Sequence, residues 1–185
     1  MRKLLILPSR WASMSLNNVN EAKMMGFLEE VKRNPKAAEK HKSVEGSWVL
    51  EEGQPQFVGE LPFAKGKVQL TCELPPFAGG WGTSPDPIQY CLYGLAACFA
   101  ATYAATAVSE GIALNRLKVT AENWVDLRKQ LGLSKEDIIK KVKLTVDVEA
   151  DVDRSQLEKL MRLAEERCPG TECVTRSIPF EAVLS

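Results

Sequence analysis

From Ile88 to Ser109 the chain runs for 22 residues without a single charge. Few folds accommodate such a segment: it crosses a bilayer, fills a core, or lines a large interface. Ala, Gly, Thr, Ser, Gln and Tyr dilute its apolar character, and no second run of this kind occurs. The Lys/Arg flanks that orient a membrane span are also missing. The segment therefore reads as a buried helix and not a span. Its start is well marked, because Ser84 or Asp86 can cap and Pro87 suits the first turn, where its missing N–H costs nothing. Gly111 marks its end.

A helix that is apolar all round needs cover all round. A chain of 185 residues can bury one such helix, but a dimer interface does so more easily. The 24 basic and 24 acidic residues cancel and no basic block stands out. The electrostatic footprint of a nucleic-acid binder is thus absent, as is that of a polybasic membrane anchor. The opening Met1-Arg-Lys-Leu-Leu-Ile-Leu7 imitates a signal peptide, but its apolar core is too short before Pro8 and Arg10. A cytoplasmic protein is expected.

The rest of the chain alternates shorter signals. Residues 1–16 show no period and read as a loose arm. An amphipathic helix follows, capped by Asn17 or Asn18, carrying Val19, Ala22, Phe27, Leu28 and Val31, and closed by Pro35. Residues 36–43, His41 included, are charged and solvated. Three strand-like pieces, 44–50, 56–61 and 67–73, suggest a small antiparallel meander. After the long helix, 117–125 and 139–148 read as strands, the second alternating cleanly from Lys141 to Val148. Ser155-Gln-Leu-Glu158 is a capping-box pattern opening a helix that Pro169 and Gly170 end. A last strand is expected over 174–183, at a sheet edge because of Pro179. Runs of strands with inserted helices indicate an α+β fold.

Five cysteines, Cys72, Cys91, Cys98, Cys168 and Cys173, make an odd number with no Cys-x-x-Cys pair. That pattern favours reduced thiols over a secreted disulfide framework. Cys91 and Cys98 are seven residues apart, so they share a helix face about 20° apart but stand about 10.5 Å apart along the axis. A disulfide needs Cα atoms within roughly 7 Å, so any partner of Cys98 comes from elsewhere. Read by itself, Cys98 is equally a small core hydrophobe. Cys168 sits at the C-terminal end of its helix, where the dipole disfavours a thiolate. That position suits a resolving thiol better than an attacking one, and Cys173 is a rival for the same role. Cys72 reads as strand packing. No Cys/His spacing matches a zinc site, no phosphate loop or nucleophile elbow occurs, and His41 is placed among charges.

Two of these motifs together carry a resemblance. Ser84-Pro-Asp-Pro-Ile-Gln-Tyr-Cys-Leu-Tyr-Gly-Leu-Ala-Ala-Cys98-Phe resembles the central-helix signature of the OsmC/Ohr family, and Glu165-Glu-Arg-Cys168-Pro resembles its second cysteine motif. Asp126-Leu-Arg-Lys-Gln-Leu-Gly-Leu133 and the strand after it are similar to one OsmC-like branch. The likeness covers about residues 44–185, which sets residues 1–43 apart as an N-terminal helical extension. It implies an intertwined homodimer with antiparallel sheets around long buried central helices. It also implies reduction of organic or inorganic hydroperoxides without metal, flavin or haem. Cys98 would be the peroxidatic thiol, Cys168 the resolving thiol, and an external dithiol the reductant.

The chain departs from the family at one point. The family pairs its reactive cysteine with an Arg and a Glu. Here Gln89 stands at the helix position of that Glu and becomes the candidate substrate contact. No arginine occurs between Arg33 and Arg116, where the other partner belongs. Lys42, Arg116, Arg128 or a residue of a partner chain are the candidates to replace it. Without a nearby cation, burial is expected to raise the pKa of Cys98. The alternative reading is a non-catalytic dimer that binds a small apolar ligand between its central helices.

Overall fold

The uncharged run does become one helix, and the rest of the chain is arranged around it. The computed structural model describes residues 15–184. The signal-like start and all but the last two residues of the expected loose arm lie outside them. Those last two, Ser15–Leu16 (β1), pair with Val19–Asn20 (β2) in a two-residue hairpin. Its turn is Asn17 and Asn18, both with φ near +60°, a conformation that Asn tolerates better than most residues. Asn17 therefore does not cap a helix. Its side chain instead donates to the Ile112 carbonyl and accepts from the Leu114 amide, fastening this end of the chain to the far end of the long helix. The cap of the first helix, Glu21–Arg33 (α1), is Asn20, which accepts from the Lys23 amide.

The expected meander is present: Glu45–Trp48 (β3), Phe57–Phe63 (β4) and Gly66–Cys72 (β5) form an antiparallel sheet in the order β3-β4-β5. The central helix Pro87–Ser109 (α2) follows, opened by a capping box between Asp86 and Gln89. A long hairpin, Leu114–Val125 (β6) with Ile139–Ala150 (β7), then pairs antiparallel. Its inward residues alternate as read from sequence, with Leu117, Val119, Leu144, Val146 and Val148 packed on the core. Arg154–Arg167 (α3) begins with a second capping box. Here Asp153 and not Ser155 is the cap, and Gln156 is its partner. The class is α+β, with small antiparallel sheets and one long central helix.

The expected last strand needs correction. Residues 174–183 are not a strand: Pro169–Thr175 forms a short helix (α4), and no helix or strand follows it to 184. Pro-Gly after Arg167 reads as a stop, yet proline at the first helical position starts a turn equally well. Downstream, Ile178, Phe180 and Val183 are exposed, so no sheet edge receives this segment within the chain. The central helix α2 is long and apolar enough to cross a membrane by length and composition. Within this chain it is buried along one stripe only: Leu95, Phe99, Tyr103, Thr106, Ala107 and Val108. The opposite side, with Tyr93, Gly94, Ala97 and Ala101, is exposed.

The core lies where that stripe meets α3 and the β6–β7 hairpin. Phe99, Tyr103, Ala107, Leu160, Ala164 and Cys168 are its centre. Tyr103 is fully buried, and its hydroxyl donates to the Leu157 carbonyl at 3.2 Å, so its polar tip is satisfied inside the core. The helix pair α2/α3 thereby fixes the angle at which α3 delivers its C-terminal end to the side of Cys98.

Candidate active site

Cys98 occupies the middle of α2, next to the buried Phe99 and one turn before Thr102, whose hydroxyl donates to the Cys98 carbonyl at 2.9 Å. Cys168 closes α3 and opens α4 as their shared cap residue. Separated by 70 positions in sequence, the two thiols meet at Gly170. A Cβ placed on Gly170 would stand 3.2 Å from Cys98 Cβ, 3.2 Å from Leu95 Cδ1 and 3.5 Å from Cys168 Sγ. Glycine is required here because any side chain would fill the space that lets α4 lie against α2. Cys168 is 2 % exposed and Cys98 half-buried. All five cysteines are free.

Cys168 ends α3 and also stands where Ser or Asp usually caps a helix start, although its side chain makes no capping hydrogen bond to α4. Burial pushes the Cys168 thiol up, but four contacts reverse this and hold it below its ordinary value. They are the Thr171 amide, the Thr171 hydroxyl, the Cys98 thiol and the Gly170 amide. The Thr171 hydroxyl is buried and has no hydrogen-bond partner among the described residues. Cys98 shifts the other way. Burial raises it, the Gly170 amide opposes that, and the neighbouring Cys168 and Cys173 raise it further. The rise of Cys98 is the one the sequence anticipates; the ionisable character of Cys168 is not.

Gln89 sits nine residues before Cys98, about 13.5 Å away along an ideal helix. Its carbonyl oxygen accepts from the Asp86 amide and its own amide donates to Asp86, so the side chain is part of the α2 cap. Neither candidate arginine stands beside the thiols. Arg116 is held by Asp147 and Glu149 at 2.7 Å each on the outer face of the hairpin. Arg128 is held by Asp126, whose carboxyl it pulls down to about 2. Lys42 lies in the exposed segment between α1 and β3. Cys72 and Cys91 lie apart from the Cys98 pair, at the end of β5 and the first turns of α2.

One charged residue escaped the sequence reading. Glu73 is 1 % exposed, directly after β5. Its carboxylate accepts from the amides of Trp81 (3.1 Å), Thr83 and Ser84 (2.8 Å). The Gly79-Gly80-Trp-Gly82 loop is thus wound around an anion, and the anion is the chain's own. Gly80 is needed for the close approach, since a Cβ there would meet the Leu74 carbonyl oxygen at 1.6 Å. Burial would raise the Glu73 carboxyl, yet the ring of amides holds it below the ordinary range. Together with Ser84 Oγ and Tyr90 Oη, which donate to Thr71, this ties the meander to the start of α2. An apolar groove of about 590 Å³ lies between them, lined by Val44, Trp48, Phe57, Leu61, Tyr93 and Gly94 among others. A glutamate in a strand-to-loop junction gives no periodic signal; the run of glycines after it was the visible trace.

Comparison with known proteins agrees with this picture. The family described as OsmC-like protein matches residues 80–183. Among solved structures, an OsmC-like protein from Mycoplasma pneumoniae superposes with a TM-score of 0.57 at 18 % identity, covering 74 % of this chain and 88 % of its own. An OsmC-like protein of unknown function from Vibrio cholerae gives 0.55 at 18 %, covering 74 % and 95 %. An organic hydroperoxide resistance protein OsmC from Legionella pneumophila gives 0.52 at 21 %, covering 75 % and 91 %. At these identities the likeness concerns the fold. Among curated proteins, no sequence matches the chain.

Proposed function

We propose thiol-dependent reduction of organic or inorganic hydroperoxides for this chain, which belongs to the OsmC-like protein family. The observation that carries the reading is the meeting of Cys98 and Cys168 at Gly170, two thiols brought together from distant segments with a glycine between them. Cys98 is the attacking thiol, being the more exposed of the two. Its sulfur takes the terminal peroxide oxygen, the O–O bond breaks, and an alcohol (or water, from hydrogen peroxide) leaves. Cys168 then displaces hydroxide from the Cys98 sulfenic acid and forms a disulfide. An external dithiol reduces that disulfide by exchange. No metal or organic cofactor enters the scheme. Gln89 contributes, if a substrate reaches the start of α2, through the amide nitrogen that its capping role leaves free.

The working unit in this reading is an intertwined homodimer. The exposed small-residue side of α2 and the open face of the meander are the surfaces a second copy would cover. An odd set of cysteines with no Cys-x-x-Cys pair supports a cytoplasmic location. A protein of similar fold supports the substrate class: the Legionella pneumophila protein is an organic hydroperoxide resistance protein.

The test is to treat the reduced protein with cumene hydroperoxide and hydrogen peroxide and map the products by mass spectrometry. Rapid loss of two thiols into a Cys98–Cys168 bridge is expected. Thiols that survive while a control peroxidase turns over would end the proposal, and a Cys98→Ser variant with full activity would end the role given to Cys98. A second reading, non-catalytic binding of a small apolar ligand, is favoured by the nearly wholly apolar lining of the groove beside α2. It predicts ligand binding that Cys98→Ser leaves intact.

A further inference from the structure

We propose that in the homodimer the helix α1 of each chain seats its apolar stripe in the groove between the meander and α2 of the partner. This rests on the homodimer proposed above and not on its peroxide chemistry. The family match covers residues 80–183, so it assigns α1 no place. The residues of α1 do. Met24, Phe27, Leu28 and Val31 stand at i, i+3, i+4 and i+7, which gathers them within about 100° of one helix face. That is the spacing with which an amphipathic helix fills a hydrophobic groove. Yet no residue of α1 is buried, and Phe27 and Leu28 are exposed. A helix of 13 residues is marginal in water unless its apolar face is packed.

The groove is the matching uncovered surface. It holds about 590 Å³, lined by Trp48, Phe57, Leu61, Leu70 and Tyr93 among others. Charge matches as well as shape. The segment 45–74 that forms the meander carries Glu45, Glu51, Glu52, Glu60 and Glu73 against Lys65 and Lys67. Glu73 is bound by its ring of amides and Glu60 by Lys67. Glu45, Glu51 and Glu52 hold no cation among the described residues. Residues 21–43 carry six basic against four acidic side chains. Lys40 lies 5.6 Å over the Phe27 ring, which puts a cation at the edge of the stripe.

Distance assigns the groove to the partner. Asn17 bonds the Ile112 carbonyl at 2.9 Å and the Leu114 amide at 2.8 Å, pinning the start of α1 at the end of α2. The groove meets α2 at its opposite end, at Pro87, Tyr90 and Gly94. From Ser109 back to Tyr90 is about 28 Å along the axis, whereas Phe27 and Leu28 lie only about 10 Å along α1. The stripe therefore falls short of its own groove. Two copies of α2 that meet on their exposed small-residue sides, about a two-fold axis perpendicular to them, run antiparallel. The end of α2 in one copy then lies beside the start of α2 in the other, and α1 arrives at the partner's groove. Residues 34–44 span at most about 36–40 Å, enough to return the chain to β3.

Cys72 lines the groove and serves as its reporter. In a Cys91→Ser, Cys173→Ser background, which removes the two exposed thiols, Leu28→Cys is treated with a short bismaleimide and the products are mapped by mass spectrometry. A covalent dimer joined from position 28 to Cys72 is expected. Phe27→Cys should give the equivalent dimer, and Glu30→Cys, on the other side of the helix, should give none. A link to Cys72 within one chain overturns the proposal, as does a dimer in sedimentation that links neither position 27 nor 28 to Cys72. Leu28→Glu should raise the dissociation constant of the dimer, by about 30-fold if Leu28 is an interface anchor. An unchanged constant also overturns it. A wild type that sediments as a monomer at every concentration sinks the proposal together with the homodimer. Peroxide consumption by the same protein then still decides the peroxidase reading separately.

Discussion

The β6–β7 hairpin and the β3-β4-β5 meander are both antiparallel and both apolar on the face they turn to α2, yet the chain covers only one of them. The hairpin receives α2 and α3 on its inner face, and Phe99, Leu160 and Cys168 are buried against it. The meander has Gly59 as its one buried residue, and Trp48 remains 53 % exposed. What joins it to α2 is polar: the Glu73 ring of amides and the donors to Thr71. One half of the molecule is therefore held by apolar burial and the other by a hydrogen-bonded hinge over an open groove. Cys98 and Cys168 stand in the finished half, packed with Phe99 and Leu160. The open half is where a second copy or a ligand has room.

Substituting in each half should expose this difference most sharply. Phe99→Ala is expected to cost about 3–5 kcal/mol, the usual price of an aromatic removed from a packed core. Trp48→Ala, at protein concentrations that keep chains single, should stay within about 1 kcal/mol, as exposed substitutions do. Chemical denaturation at low and high protein concentration reads both. A Trp48 loss as large as the Phe99 loss in the single chain would mean the meander is already packed, and the comparison would break. Should the Trp48 cost appear only at high concentration, the open face is what association covers.

The hinge should answer to acid where the core does not. Glu73 is held below the ordinary carboxylate range in the folded chain. Its contribution is therefore complete above its unfolded value, roughly 4.3, and is lost as pH falls through the lower folded value. Glu73→Gln should lower the melting temperature at neutral pH and flatten the acid limb of the stability curve. Measured melting from pH 7 to pH 2 decides it. A variant with the same acid limb as wild type would show that Glu73 does not hold the loop.

Within the finished half, Gly170→Ala probes how closely α4 approaches α2. The added methyl would stand 3.2 Å from both Cys98 Cβ and Leu95 Cδ1, so those side chains must yield by a few tenths of an ångström. Overpacking of this kind costs about 1–3 kcal/mol. The more telling readout is the yield of the Cys98–Cys168 bridge under diamide, which should fall. An unchanged yield would mean the two thiols reach each other by a route other than the contact at Gly170.

Much of this was legible before any coordinates. The uncharged run with its capping signals marks α2, the alternation from Lys141 to Val148 marks β7, and the two cysteine motifs single out two residues, Cys98 and Cys168, that the fold brings to one glycine. The misreadings share a cause. Pro169-Gly170 ends one helix and begins the next, and a local pattern cannot tell the two apart because proline suits both sides of such a junction. That one ambiguity hid α4, produced a strand at 174–183, and placed Cys168 at an unfavourable helix end when it also stands at a favourable start. For α2 the chain itself covers one stripe; an apolar surface states that cover is needed and not which chain supplies it. Glu73 was missed because its partners are backbone amides, which every loop possesses and no sequence pattern displays.

The smallest effect is expected at Arg116, and its smallness is informative. Arg116 was one candidate to replace the arginine that the family places beside its reactive thiol. The side chain is about half exposed, between Asp147 and Glu149 on the outer face of the hairpin. Exposed pairs of this kind contribute at most about 1 kcal/mol and less in salt. Arg116→Gln should therefore change denaturation midpoints little, and the difference should shrink in 0.5 M salt (roughly a 4 Å screening length). It should also leave the pH profiles for alkylation of Cys98 and Cys168 unmoved, since the carboxylates that hold Arg116 keep it on the side of the sheet away from the core. If Arg116→Gln instead shifts the Cys98 profile upward, the guanidinium must reach that thiol in the working assembly. Because its own chain holds it on the outer face, that reach would be across to a second copy, and activation of Cys98 would then belong to the interface.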